Sequence, residues 1–214
     1  MAAKITVRDD DVLLVIDVQN DFCPGGSLAV TEGDAVVPVI NRVAASFKHI
    51  VLTQDWHSPQ HQSFASAHPG RKPFETATLS YGSQVLWPDH CVQGTRGAEF
   101  HPALVTRGAE LILRKGFRAA IDSYSAFREN DRTTLTGLAG YLRERGLGRI
   151  FVAGLALDYC VRYTAEDAVA AGFAAIAIMD GCRGIDVGGS VADTQRSFAA
   201  LGVVAVNADT ISSA

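Results

Sequence analysis

Three side chains of complementary chemistry stand at or just beyond apolar runs. Asp17 closes VLLVID at 12–17, Lys115 closes LILRK at 111–115, and Cys160 follows IFVAGL at 150–155 by five residues. A cysteine attacks as its thiolate. A carboxylate beside it can take the thiol proton and later return it to a leaving group. A neighbouring ammonium favours both anions and holds the carboxylate in place. The segment around Cys160 passes from a buried run into the first turn of a helix, where free N–H groups and the helix dipole favour a thiolate and can hold an oxyanion. Each residue also has an ordinary role to be weighed. Free cysteines are commonly inert core groups, aspartates cap turns, and a lone lysine is usually solvated. Their shared position beyond strand ends is what favours chemistry.

A second set has the composition of a metal centre. Asp55 and His57 lie two apart, on one side of an extended segment, and His90 in WPDHC offers a third ligand. Two imidazoles and one carboxylate leave open coordination positions, which suits Zn²⁺, Fe²⁺ or Mn²⁺. His61, His68 and His101 compete for the role. His61 ranks below His90, because its Pro- and Ser-bearing segment does not favour the helix that would bring it beside His57.

The elements that must position these groups alternate between strand and helix. Apolar runs predict strands at 12–17, 49–53, 111–114, 150–155, 174–179 and 203–206. Helical spacing or glycine stops predict helices at 34–47, 134–145, 158–171 and 190–201. Strands that read as continuous apolar runs are buried on both faces. The expected fold is therefore α/β: a doubly wound, Rossmann-like three-layer sandwich with a mainly parallel six-stranded sheet, in one domain over 1–214. Ligands of such sheets bind beyond the carboxyl ends of the strands, the rim to which Asp17, Asp55, His57, Lys115 and Cys160 belong. The stretch 53–110, rich in His, Pro, Gly, Ser and Trp, is long for a loop in a compact domain. It reads as a site-forming, metal-binding insertion after the second strand.

Composition narrows the function classes. The chain has 214 residues, 48% hydrophobic and 20% charged, with a net charge of −4. No basic footprint for nucleic acid is present. The longest apolar stretch, 168–179, is twelve residues broken by Gly172, short of the ~20 that cross a bilayer. Residues 1–11 lack the layout of a secretory signal. A cytoplasmic protein is expected, with its four cysteines reduced and no C-x-x-C pair among them.

Taken together, IDVQNDFCPGGSLAV at 16–30, TQDWHSPQHQSF at 53–64, LWPDHCVQGT at 86–95, RKG and DSYSAF between 114 and 127, and VAGLALDYCV at 152–161 resemble the nicotinamidase branch of the isochorismatase-like cysteine hydrolases. The resemblance implies a catalytic triad of Asp17, Lys115 and Cys160. It implies one divalent metal, Zn²⁺ first with Fe²⁺ or Mn²⁺ as alternatives, on Asp55, His57 and His90. Some relatives carry a further histidine where this chain has Ser63, which is then expected to reach the metal through a water. A cis peptide is implied at Leu155–Ala156, with the Ala156 and Cys160 N–H groups forming the oxyanion hole. The implied reaction hydrolyses nicotinamide to nicotinate and ammonia through a thioester, with pyrazinamide as a further substrate and a place in NAD salvage. The ring is expected between Phe22 and Trp87, bordered by Leu28, Tyr124, Leu155 and Ala156. The implied partner is a small molecule, with a homo-oligomer left open. Two rivals remain: another carbon–nitrogen amidase of the carbamoylsarcosine or ureidoacrylate type, and a metal-centred hydrolase or oxygenase in which Cys160 is a bystander. Cys23, Cys91 and Cys182 read as structural or incidental.

Overall fold

The structure, a computed structural model, describes residues 4–213. Its strands are β1 (Ile5–Thr6), β2 (Asp11–Ile16), β3 (His49–Asp55), β4 (Thr76–Leu79), β5 (Gly82–Val85), β6 (Leu111–Lys115), β7 (Arg149–Leu155), β8 (Ala174–Arg183), β9 (Val204–Val206) and β10 (Ile211–Ser212). Its α-helices are α1 (Val36–Ala44), α2 (Leu138–Glu144), α3 (Arg162–Ala170) and α4 (Ser190–Leu201). The main sheet runs β6-β3-β2-β7-β8-β9 and every pairing in it is parallel. Counted along the sheet's own strands, this is the order 3-2-1-4-5-6 of dinucleotide-binding folds, with its switch point between β2 and β7.

Every residue of β2 is buried, as is every residue of β7 beyond Arg149, so both faces of the sheet centre must be covered. The α1 and α3 helices both pack on β7 and β8. In α1 the covering face is Val36, Val37, Ile40 and Val43, and Pro38 falls in the first turn, where its missing N–H costs no helical bond. Among the described residues no helix is long and apolar enough to cross a membrane.

Two of the differences between predicted and observed elements have a plain local cause. The helix expected from 134 begins at Leu138, because the N–H and hydroxyl of Thr134 are both bonded to the Asp131 carboxylate, a local bond that competes with helix formation. The strand expected to end at 179 runs on to Arg183. After a register shift, Cys182 and Arg183 pair with Gly154 and Leu155. The polar sequence DGCR hid this continuation from a reading based on apolar runs.

Register sets the rim. Asp55 lies directly opposite Lys115 in the β3–β6 ladder, and Ile16 lies opposite Gly154 in β2–β7. Gly154 has φ +132, and a Cβ there would collide with the Ile16 carbonyl. Only glycine lets β2 and β7 approach this closely at the switch point. Within the insertion, β4 and β5 form an antiparallel hairpin, and His57 bridges to Val92. That bridge brings the His90 segment alongside the end of β3.

Candidate active site

Lys115 is the hub of the rim. Its ammonium is buried and lies 2.8 Å from Asp17 Oδ2, 2.7 Å from Asp55 Oδ1, 2.9 Å from the Ser123 carbonyl and 3.4 Å from Cys160 Sγ. Three N–H protons face four acceptors. The Asp17 Oδ2 contact is close but not aligned as a hydrogen bond, so that oxygen keeps acceptor capacity. Asp17 Oδ1 accepts from the Thr53 hydroxyl at 2.6 Å, and the Thr53 oxygen accepts the Asp17 N–H. Asp17 itself has φ 47, a left-handed conformation that aspartate tolerates better than most residues.

Cys160 sits in a π-helical turn, Leu157–Val161, that leads into α3, whereas sequence spacing suggested an α-helical start. Such turns recur at functional sites. The electrostatics also correct the expected low thiol pKa. Burial pushes the Cys160 thiol well above its ordinary range, Lys115 opposes this, and the Asp17 and Asp55 carboxylates add to it. Burial likewise raises the Asp17 carboxyl against the pull of Lys115. The Cys160 thiol therefore holds its proton more tightly than a free cysteine, with an Asp17 carboxyl oxygen within 4.8 Å of the sulfur. Because thiolate is the reactive form, alkylation of Cys160 by iodoacetamide is expected to keep rising with pH above 9. A rate profile that levels off below pH 7 contradicts this.

The Leu155–Ala156 peptide is cis, as the sequence resemblance implied. Among the described residues the Ala156 N–H has no hydrogen-bond acceptor in the protein.

Asp55, His57 and His90 are all buried, with potential ligand atoms within 4.8 Å of one another. His57 Nδ1 donates to the Gly116 carbonyl at 3.0 Å and His90 Nδ1 to that of Pro88 at 2.8 Å. These bonds fix the tautomer that turns each Nε2 lone pair inward, 3.2 and 3.6 Å from Asp55 Oδ2. His57 Nε2 is buried with no hydrogen-bond partner, and an orphaned lone pair in such a donor set fits a divalent ion. Lys115 and His57 hold the Asp55 carboxyl well below its usual range although burial acts the other way. Gly116 has φ +67, and a Cβ there would lie 2.6 Å from His57 Cε1 and 2.9 Å from Nδ1. Gly116→Ala is therefore expected to turn the His57 ring and weaken Zn²⁺ binding about 10-fold or more, read by competition with a chelating indicator.

Beside both groups lies a pocket lined by Phe22, Leu28, Trp87, Tyr124, Ala156 and Cys160. This accounts for all but one of the expected substrate residues. Leu155 does not line it. Its side chain is fully buried and its Cδ1 faces Gly33, because alternate residues at the end of β7 point to opposite faces. The Phe22 ring is edge-on to His90 at 5.4 Å, and Trp87 is edge-on to Tyr159 at 4.8 Å. Ser63 is buried and bonds His61 Nδ1 at 2.8 Å, while His61 Nε2 meets the Arg118 carbonyl. Cys23, Cys91 and Cys182 are buried and unpaired.

Residues 11–209 match the isochorismatase domain model. The chain belongs to the isochorismatase family. It is 53% identical to the nicotinamidase of Acinetobacter baylyi over 93% of each chain. Among solved structures it resembles PnC1 from L. infantum in complex with nicotinate, at 37% identity and TM-score 0.87 over 99% of this chain and 100% of that one. It also resembles the pyrazinamidase of Pyrococcus horikoshii in complex with zinc, at 34% identity and TM-score 0.74 over 92% of this chain and 99% of that one. Family membership fits the all-parallel sheet and the position of the pocket.

Several groups at the site were not singled out from sequence. Asp122, Tyr159 and Ile185 line the pocket. Gln19 clamps the Asp55 backbone, donating to its carbonyl and accepting its N–H, both at 2.8 Å. Ser123 offers its carbonyl to Lys115. Gln19 and Asp122 both fall inside the motifs that carried the resemblance, which was the one available signal.

Proposed function

We propose that this chain hydrolyses nicotinamide to nicotinate and ammonia, acts also on pyrazinamide, and serves NAD salvage. The observation that carries the reading is a pocket lined by the Cys160 thiol, the aromatic wall, Asp55 and His90, with Lys115 bonded to Cys160 and Asp55, Asp17 on the same ammonium and His57 clustered with Asp55 and His90. The identity to nicotinamidases supports the same substrate.

In this reading Asp17 takes the Cys160 proton as sulfur attacks the carboxamide carbon. The carbonyl electrons move to oxygen, where the Ala156 and Cys160 N–H groups hold the negative charge. As the tetrahedral adduct collapses, the carbon–nitrogen bond breaks, Asp17 gives its proton to the departing nitrogen, and a thioester and ammonia remain. Asp17 then draws a proton from water, the water oxygen replaces sulfur, and nicotinate leaves with the thiol restored. Lys115 stays charged throughout, since Asp17 and Asp55 outweigh the burial that would otherwise lower its pKa. It orients both carboxylates. Phe22, Leu28, Trp87 and Tyr124 orient the ring and exclude water. Asp55, His57 and His90 would hold one divalent ion, Zn²⁺ first, with Ser63 reaching it through a water. Bound there, the ion supplies a Lewis-acid contact for the pyridine nitrogen.

Ammonia release from nicotinamide, pyrazinamide and benzamide, before and after chelation, tests the reading. Nicotinamide should be favoured over benzamide, and chelation should lower its rate until Zn²⁺, Fe²⁺ or Mn²⁺ is restored. Equal rates on the two amides, unaffected by chelation, count against the metal contact.

A further inference from the structure

Asp122 is a buried carboxylate with no part in the triad or the ligand set. It lines the pocket, and its Oδ1 lies 3.9 Å from His57 Nε2, the orphaned nitrogen of the metal cluster. Two bonds aim it there: the Ser123 N–H donates to Oδ1 at 2.8 Å, and Gln84 Nε2, from the insertion hairpin, lies 3.1 Å from Oδ2. Neither oxygen has its acceptor capacity filled.

His57, His61 and Asp122 also cluster closely enough to suggest a second ion site. His61 rules that out, because one ring nitrogen faces the Arg118 carbonyl and the other is taken by the Ser63 hydroxyl and N–H. Asp122 therefore addresses the first cluster only.

Charge balance points the same way. Asp17, Asp55 and Asp122 are all buried, and the one ammonium among them, Lys115, pairs with the first two. Lys115 balances one carboxylate and leaves two, a costly excess for a closed site. A divalent ion on Asp55, His57 and His90 balances both, whereas with Asp55 alone a positive charge would remain.

Resting on the metal reading above, we infer that Asp122 is a positioning residue of the metal centre: its carboxylate neutralises the bound divalent cation from the outer sphere and accepts a hydrogen bond from a water on it.

The test uses the metal-free full chain as wild type, Asp122→Asn and His57→Ala. Zn²⁺ affinity is measured by competition with a chelating indicator, and thermal melting is followed with and without Zn²⁺. The inference expects Asp122→Asn to weaken Zn²⁺ binding about 10–100-fold. It also expects the metal-free variant to melt no lower than metal-free wild type, since one of the excess negative charges is gone. A weakening of less than threefold overturns it. So does a metal-free melting point that falls as far as the Zn²⁺-bound one, which would make Asp122 only a structural anchor for Gln84 and Ser123. Should Asp122→Asn not fold, Asp122→Ser is read by the same two criteria. If wild type binds no Zn²⁺, or His57→Ala binds it as tightly, the metal centre itself is refuted and the Asp122 role falls with it.

Discussion

Cys160→Ala is expected to lower kcat for nicotinamide by about 10⁴-fold or more, because the reaction then loses its covalent route and not merely one contact. The folded state should barely notice. Cys160 Sγ accepts only a weak 3.4 Å hydrogen bond from Lys115, and alanine leaves both carboxylates on that ammonium. Circular dichroism, melting temperature and Zn²⁺ affinity should therefore stay near wild type while ammonia release disappears. Mass spectrometry of the quenched wild-type enzyme should find an acyl adduct on Cys160 and none on Cys23, Cys91 or Cys182. Near-normal turnover by Cys160→Ala would falsify covalent catalysis and restore the metal-centred rival.

Lys115→Met is expected to have the largest effect on stability. Methionine fills a similar volume but leaves the Asp17 and Asp55 carboxylates buried without their shared cation. Removing one partner of a buried ion pair costs about 3–5 kcal/mol, to be read from urea unfolding at pH 7. The sign of the pH dependence follows from Asp17. Burial already raises its folded pKa above the ordinary carboxyl value, and loss of Lys115 raises it further. The folded state then binds that proton more tightly than the unfolded chain, so stability lost at pH 7 should partly return as the pH falls through the folded pKa. A deficit that does not change between pH 7 and 5 argues against an unpaired Asp17. Lys115→Arg keeps the charge and should recover part of the stability, but its planar fork fits poorly among the four acceptors around Nζ.

The parts of the fold legible in the sequence were those that burial writes directly into composition. β2, β3 and β7 are covered on both faces, so they appear as unbroken apolar runs, and the polar residues that end them mark the rim. Other features left weaker traces. The hairpin β4–β5 lies in a stretch whose short alternation, TATL, resembles loop sequence. The π-helical turn at Cys160 spans five residues, too few for a helical period to distinguish it from an α-helix. Leu155 was assigned to the pocket together with Ala156 by the resemblance, yet the alternation of strand side chains turns it inward.

The sequence alone determined which chemistry was available: one cysteine in a strand-to-helix turn, an aspartate and a lysine at strand ends, and an Asp-x-His pair with a distant histidine. Those are properties of residue type and spacing, and they survive without coordinates. Only the tertiary structure decided how the groups share charge. Parallel register sets Lys115 opposite Asp55, and the pairing of β2 with β7 brings Asp17 and Cys160 to the same ammonium. Closure of the site then raises the thiol pKa that the helix position alone was expected to lower. Desolvation and Coulomb interactions depend on distances between residues up to 143 positions apart, from Asp17 to Cys160, and no local pattern in the chain encodes them.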